Sequence, residues 1–378
     1  MRRARDGAED GADTGDAGDT VKRESYHPGS RFLLTCQHLC YISEVGSDAG
    51  RRAGPPLCMS DAAPHPLRRL LAALAKLLLS VGLLAFVLRD TSLAALWNMF
   101  RRVQPSWILA AMSMHGLVLG VSVWRWHMLL GAQHVRVPAR TLAESFWVAL
   151  FFNNFLPSNI GGDVVRIADT SRPAGSKTLA TMVIFVDRVL GLFALTSVGA
   201  IGALSARAMG IDIPGTLWIE IGALATLALC VLLFFAPAVL DLALSPVRAL
   251  GHPWVVEKLG TLQETLARFR ARPSALAGAL AGAVIVQGVI VAFYTLTARS
   301  LAIPLPFVMA GVLVPVAMVI QMLPVSINGF GLREAVFGFF FVRFGLSVEA
   351  AVAVSLLGTA LIMLFSLGGG ALFLLRRH

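Results

Sequence analysis

The sequence predicts an all-α polytopic membrane protein with about six to eight transmembrane helices, in which two segments are broken or re-entrant and form an inverted repeat. Of its 378 residues, 56% are hydrophobic and 14% are charged, and the mean hydropathy is +0.73. A soluble domain normally carries about 25% charged residues. Several apolar stretches exceed the roughly 20 residues that cross a bilayer. A polar motif rich in Gly and Pro also occurs twice between apolar runs.

The formal charge of +10 does not indicate a nucleic-acid partner. The Lys and Arg residues lie in short connections between apolar segments, where anionic lipid headgroups and a cytoplasmic bias explain them. We therefore predict no nucleic-acid binding.

The first 58 residues differ from the rest of the chain. They are rich in Asp, Gly and Arg at the start and have no helical or strand periodicity, whereas Met59 begins a short polar stretch before an apolar helix. We interpret residues 1–58 as a disordered or misannotated N-terminal extension and residues 59–378 as the transmembrane domain.

The apolar pattern predicts membrane segments at 70–88, 106–124, 141–156, 178–204, 215–237, 273–298, 306–324 and 348–374. The segments 141–156 and 306–324 are short and interrupted by polar residues or Pro. The long polar connection 237–273 has apolar residues at helical spacing, which predicts an amphipathic helix on the membrane surface. A solvated linker helix is the alternative.

Two motifs indicate an internal duplication. "NNFLPSNIGGDVVRI" at 153–167 and "LPVSINGFGLREAVF" at 323–337 both contain L-P-x4-G-x3-R, and the copies lie 167 residues apart. Each follows a short apolar segment and precedes a long one. The repeat halves are predicted at about 68–205 and 215–375. Paired short segments interrupted by Gly and Pro are typical of a transport site.

The Lys and Arg distribution favours re-entrant short segments. We count the Lys and Arg from residue 68 onward that lie outside the predicted segments, which omits Lys76 and Arg188. If all eight segments crossed, the two faces would carry nine and thirteen of them. If each short segment dips in and returns, the faces carry fifteen and seven. The positive-inside rule prefers the second topology, with both termini cytoplasmic and the two Leu-Pro loops entering from opposite faces.

Each motif predicts a helix break that binds an anion. Pro157 and Pro324 end the incoming helices, and Gly331 supplies additional backbone freedom. The next helix start presents unpaired N–H groups, which favour phosphate. The predicted lipid- or substrate-binding residues are Asn153, Asn154, Ser158, Asn159, Gly161, Gly162, Asp163, Arg166, Asp187, Arg188, Gln321, Asn328, Gly329, Arg333 and Glu334.

Asp187 and Arg188 are adjacent ionisable residues inside an apolar run, and charged residues at membrane depth indicate a functional site. Adjacent helical residues point about 100° apart, so we expect separate partners for them. Arg166 is the expected partner of Asp187, and Asp163 or a lipid phosphate is the expected partner of Arg188. The alternative is a structural salt bridge that joins the helix to the loop.

Other polar and aromatic positions have simpler explanations. Trp124, Trp126 and Trp147 are predicted to anchor the helices at the membrane interface. Gln321 also suits an interhelical hydrogen bond. His115 lies alone on an apolar face and is not predicted to bind a ligand.

The chain resembles the lysylphosphatidylglycerol synthase transmembrane-region family of flippase-like proteins. The resemblance covers about residues 68–375 and rests on the two motifs above and on "FVDRVLGL" at 185–192. The positions that match the family's motifs are Asn154, Pro157, Gly162, Arg166, Arg188, Pro324, Gly329, Arg333 and Glu334. Bifunctional members also carry a cytoplasmic aminoacyl-transfer domain, and we expect this chain to be the flippase-like module without that synthase domain.

The sequence and the resemblance together predict a lipid flippase of the inner (plasma) membrane. It would move a polar-headed, phosphate-containing lipid between leaflets: an anionic or glycosylated phospholipid, or a polyprenyl- or hopanoid-type lipid. The alternatives are a membrane-embedded lipid-modifying transferase, or a scaffold partner of a lipid synthase or glycosyltransferase. We find no Walker motif, no nucleophile–base constellation and no cluster at metal spacing, so no catalytic residue, cofactor or metal is predicted.

Overall fold

A computed structural model describes residues 66–89, 91–156, 161–211, 213, 215–249, 253–322, 326 and 328–376. Within these residues the chain forms thirteen α-helices and no strand. The predicted extension 1–58 lies outside the described residues, as do Pro157, Ser158, Asn159 and Pro324.

The helices follow one another as α1 (Pro66–Arg89), α2 (Leu93–Arg101), α3 (Pro105–Ala132), α4 (Ala139–Phe155), α5 (Gly161–Ser171), α6 (Lys177–Ala208), α7 (Thr216–Phe235), α8 (Pro237–Ala249), α9 (Pro253–Arg270), α10 (Pro273–Ser300), α11 (Phe307–Gln321), α12 (Leu332–Arg343) and α13 (Val348–Leu375). Within the described ranges, five of them are long and apolar enough to cross a membrane, namely α3, α6, α7, α10 and α13. The prediction of an all-α polytopic membrane protein is confirmed.

Local sequence signals explain where the long helices begin. Pro105 and Pro273 occupy the first turn of α3 and α10, where their missing N–H removes no helical hydrogen bond. Ser176 and Ser347 cap α6 and α13, and their hydroxyl oxygens accept the backbone N–H of the residue three positions later at 3.3 and 3.1 Å.

The helices α3 to α6 and α10 to α13 form two copies of one arrangement. Their lengths are 28, 17, 11 and 32 residues in the first copy and 28, 15, 12 and 28 in the second. The packing is also equivalent, because α4 contacts α13 of the other copy while α11 contacts α6. The predicted halves, 68–205 and 215–375, each contain one of these copies and also include α1 and α2, or α7 to α9.

The two copies are inverted with respect to each other. The equivalent helices α3 and α10 pair along their length in opposite directions. At one end the backbone N–H of Gln104 donates to the Ser300 carbonyl at 2.9 Å, and at the other Arg272 donates to the Gly131 carbonyl at 2.9 Å. Between these contacts Gly282 packs on Trp124. Antiparallel equivalent helices are the geometry of an inverted-topology repeat.

Each broken segment folds into a helical hairpin. In the first, the Gly162 N–H donates to the Asn153 side-chain oxygen at 2.8 Å, and further down the Arg166 guanidinium lies 5.0 Å from the Phe146 ring. The helix α5 thus returns along α4. In the second hairpin α12 packs on α11, and Gly329 lies against the Gln321 side chain. Both segments are therefore broken helices, as predicted; their re-entry into the membrane stays a prediction.

The connection between the repeats contains the predicted amphipathic helix, α9. Its C-terminal half is part of the protein core, since Leu266 and Phe269 are fully buried. The Gln133 side chain also donates to the Thr265 carbonyl at 3.0 Å. Trp254 at the other end is exposed. The helix therefore packs on the bundle by one half, which rules out a fully solvated linker for that half.

Candidate functional site

The tips of the two hairpins meet. Asn328 donates its side-chain amide to the backbone carbonyl of Asn154 at 3.2 Å. Asn328 has φ +50°, in the left-handed region that Asn tolerates better than most residues. The two copies of the Leu-Pro motif are therefore in direct contact, although 174 residues separate these two positions.

A polar cavity of about 450 Å³ surrounds this contact. Its polar lining consists of Asn153, Asn154, Asp163, Arg188, Gln321 and Asn328. All six were predicted as binding residues, and the fold brings them together from both halves. The amides offer both donors and acceptors, while Arg188 and Asp163 contribute one charge of each sign.

A second, more enclosed space of about 220 Å³ continues from the polar cavity. We call it the inner chamber. The two spaces share Asn153, Asn154, Gln321 and Asn328 in their lining, and the chamber adds Arg333 and His115. Arg333 therefore lines the inner chamber but not the polar cavity.

A buried ion network joins the first hairpin to α3 and α6. Asp187 lies 3.0 Å from Arg166 Nη2 and 2.7 Å from Arg125 Nε. Arg125 and Arg166 thus approach different oxygens of the same carboxylate, Oδ1 and Oδ2.

Asp163 continues the network outward. Its Oδ2 lies 2.8 Å from Arg188 Nη2, and its Oδ1 lies 3.6 Å from Arg166 Nη1. The predicted partnerships of Asp187 with Arg166 and of Arg188 with Asp163 are therefore both present. Among the described residues, the network holds three guanidinium groups and two carboxylates, of which Asp163 and Arg188 line the polar cavity.

Arg166 does not occupy the place that we expected. It is 4% exposed, pairs with Asp187 and stacks 4.3 Å from the Trp126 ring, and it lines neither the polar cavity nor the inner chamber. Arg166 was predicted as a binding residue, and the structure places it in the ion network instead. Arg188, whose side chain is 48% exposed, provides the cation of the polar cavity.

Two neighbours of this network were misinterpreted from the sequence. Arg125 was counted among the loop cations, yet it is buried opposite Asp187. Trp126 was predicted as an interfacial anchor, but it is fully buried beneath Arg166. The signal for Arg125 was available: a single cation between two Trp residues inside an apolar run requires a buried partner.

In the second hairpin, Glu334 organises the helix start. Its carboxylate accepts the Gly331 backbone N–H at 2.7 Å and the Ser355 hydroxyl at 2.6 Å. Ser355 in turn accepts from Arg333 Nε at 3.1 Å. Glu334 is fully buried and lines neither of the two polar spaces, so its predicted contact with substrate is replaced by a positioning role. Ser355 was missed because a lone Ser in an apolar helix carries no signal.

The predicted glycines serve backbone geometry. A Cβ on Gly162 would lie 2.4 Å from the Ala149 carbonyl, and one on Gly161 would lie 2.9 Å from a Leu156 methyl. Gly329 and Gly331 have φ +74° and +83°. These positions let each hairpin close tightly, as the helix-break prediction for Gly331 required.

Comparison with known proteins agrees with this architecture. The family model described as "Lysylphosphatidylglycerol synthase TM region" matches residues 73–370. The match spans both hairpins and all of the polar cavity. A search of the curated proteins finds no match to the chain.

Proposed function

Because this chain belongs to the lysylphosphatidylglycerol synthase TM region family, a family of membrane proteins in lipid metabolism or translocation, we propose that it moves a phosphate-containing lipid between leaflets. One observation carries the proposal. The tips of two inverted hairpins meet at Asn154 and Asn328 around a polar cavity inside an otherwise apolar bundle. Discontinuous helices at the interface of inverted repeats typically form substrate sites in transporters.

The chemistry of the polar cavity suits a lipid headgroup. The half-exposed Arg188 guanidinium can bind a phosphate oxygen through a charge-assisted hydrogen bond, in exchange for part of its pairing with Asp163. The amides of Asn153, Asn154 and Asn328 can bind hydroxyl or ester oxygens. Together these groups replace water around a headgroup that hydrocarbon would strongly disfavour.

An apolar groove lies on the other side of α11. It has a volume of about 580 Å³ and is lined by residues including Leu195, Trp218, Val319, Ile320 and Phe339. Val319 and Ile320, which line this groove, lie between Met318 and Gln321 in the sequence of α11. Met318 and Gln321 line the polar cavity. One helix therefore separates a polar space from an apolar one, an arrangement suited to an amphiphile whose acyl chain remains in a hydrophobic environment.

We also propose that both termini face the cytoplasm of the inner membrane. Arg376 donates to Asp169 at 3.0 Å, so the end of α13 lies beside the end of α5. Without the buried Arg125, Arg166 and Arg333, the count predicted from the sequence becomes thirteen Lys and Arg on the face that carries both termini and six on the other. The positive-inside rule favours the cytoplasm for the richer end.

The partners proposed for the polar cavity are anionic or glycosylated phospholipids and polyprenyl- or hopanoid-type lipids, supplied by a neighbouring synthase or glycosyltransferase. A panel of headgroup-labelled lipids of these classes, each at equal surface density in vesicles, separates them. The class that is moved fastest identifies the substrate.

The direct test is a translocation assay in proteoliposomes. Headgroup-labelled lipid is quenched from outside, and the rate at which protected lipid becomes accessible is measured. We expect wild-type protein to exceed protein-free vesicles. Arg188→Gln should lower the rate about tenfold, because a charged hydrogen bond to phosphate is lost. Arg172→Gln, an exposed change in the turn between α5 and α6, is the matched control. A wild-type rate equal to that of empty vesicles for every lipid class would refute the proposal.

A further inference from the structure

The inner chamber contains two buried nitrogen-bearing side chains, one from each half of the repeat. His115 belongs to α3 and Arg333 to α12, and they are 8% and 4% exposed. Within the described part of the chain, His115 Nδ1 and Arg333 Nη2 have no hydrogen-bond partner. Buried polar nitrogens are nearly always paired. Two such nitrogens in one small chamber therefore indicate that it binds a group with oxygen acceptors.

The surroundings hold both side chains in place without satisfying these nitrogens. Ser355 accepts from Arg333 Nε, and Glu334 lies 3.5 Å from the same nitrogen, so neither contact involves Nη2. The His115 ring packs against Phe293 and Phe365 at centroid distances of 5.4 and 5.1 Å. Those aromatic contacts fix the ring but supply no acceptor.

The size of the chamber limits what it can hold. At about 30 Å³ per water, 220 Å³ corresponds to roughly seven water molecules. Sites for complete drug-sized ligands are typically about 300–1,000 Å³. The chamber therefore admits a small polar group, and its shared wall with the polar cavity gives that group a route inward.

We propose that the inner chamber is a phosphate site in which His115 and Arg333 bind the oxyanion from opposite halves of the repeat. Guanidinium and imidazole N–H groups are strong donors to phosphate oxygens. If the site binds the lipid headgroup after Arg188 has bound it, the inference rests on the proposed function. Binding of a free oxyanion at this site does not depend on that function. His115 becomes a binding residue that sequence analysis had dismissed.

Binding is measured on the full chain in a phosphate-free maltoside detergent, with inorganic phosphate and soluble dihexanoyl phosphatidylglycerol as separate probes. His115→Phe keeps the aromatic packing and removes both ring nitrogens, and Arg333→Gln removes the cation. Each change should raise the dissociation constant at least about tenfold. The controls are His127→Phe on α3 and Arg343→Gln on α12, both exposed, which should bind like wild type.

The two probes identify the source of the phosphate. Binding of the short-chain lipid supports a headgroup station, whereas binding of inorganic phosphate alone supports a free-anion site. Unchanged binding of both probes by His115→Phe, or no binding by wild type, would overturn the inference. The binding measurement uses no vesicles and is therefore independent of the translocation assay. If the protein binds phosphate but moves no lipid, the proposed function is refuted and the phosphate site is not.

Discussion

Asp187 of α6 holds two arginines at once, Arg166 at 3.0 Å and Arg125 at 2.7 Å, in a site where its own exposed fraction is 2%. This one carboxylate joins α3, the first hairpin and α6. The charged pair in the apolar run 178–204 therefore has divided roles: Asp187 fixes the hairpin, and the adjacent Arg188 faces the polar cavity.

Removing the Asp187 charge should destabilise the protein strongly. Asp187→Asn leaves Arg125 and Arg166 buried without a full counter-charge, and breaking a buried pair in this way costs about 3–5 kcal/mol. The change is measured as a lowered melting temperature of the purified protein. Glu220→Gln provides the control, because its pair with Arg207 is largely exposed and is worth about 1 kcal/mol or less. Equal melting temperatures for the two variants would contradict the structural role of Asp187.

Gly331 should tolerate no side chain, because α1 packs directly on it. A Cβ there would lie 2.5 Å from Leu83 Cβ and 2.9 Å from the Ser80 carbonyl. Gly345 also has a positive φ, +73°, but has open space around it. Gly345→Ala therefore reports backbone strain alone, about 1–2 kcal/mol. Gly331→Ala should lower the melting temperature clearly more than Gly345→Ala does. Equal melting temperatures for the two variants would show that α1 does not constrain the second hairpin.

The contact between α6 and α11 depends on Gly202. A Cβ on Gly202 would meet the Gly311 carbonyl oxygen at 2.7 Å, whereas one on Gly191 of the same helix would meet nothing within 4 Å. Gly202→Ala should cost about 1–3 kcal/mol by overpacking. Gly191→Ala should be neutral or slightly stabilising, because Ala favours helix. A Gly202→Ala protein with the same melting temperature as wild type would refute this close approach.

The repeat and its breaks were predictable because they are local signals. Pro, Gly and a fixed spacing mark the hairpins, and the asymmetry of Lys and Arg selects re-entry over crossing. Four of the charged partners were also predictable, since a carboxylate in an apolar run must find a cation. The pairing of Asp187 with Arg166 and of Asp163 with Arg188 followed from that requirement.

What could not be predicted depends on the rotation of helices about their axes. Periodicity in an apolar helix does not say which side faces a neighbour, because lipid and protein interior are equally apolar. Trp126 and Arg125 were misjudged for this reason, and both are buried. The same ambiguity explains why Arg166 was predicted as a binding residue, whereas Arg188 is the arginine that lines the polar cavity.

The most direct test of the account is to tie the hairpin tips together. Asn154→Cys and Asn328→Cys are introduced after replacement of the native cysteines, and lipid translocation is measured before and after treatment with a short, cleavable thiol cross-linker. The control is a Gln104→Cys and Ser300→Cys pair at the α3–α10 contact, away from the hairpin tips. If the headgroup passes between the tips, cross-linking them should lower the rate to that of protein-free vesicles, cleavage should restore it, and the control should be unaffected. Undiminished translocation by fully cross-linked Asn154→Cys/Asn328→Cys protein would contradict passage between the hairpins.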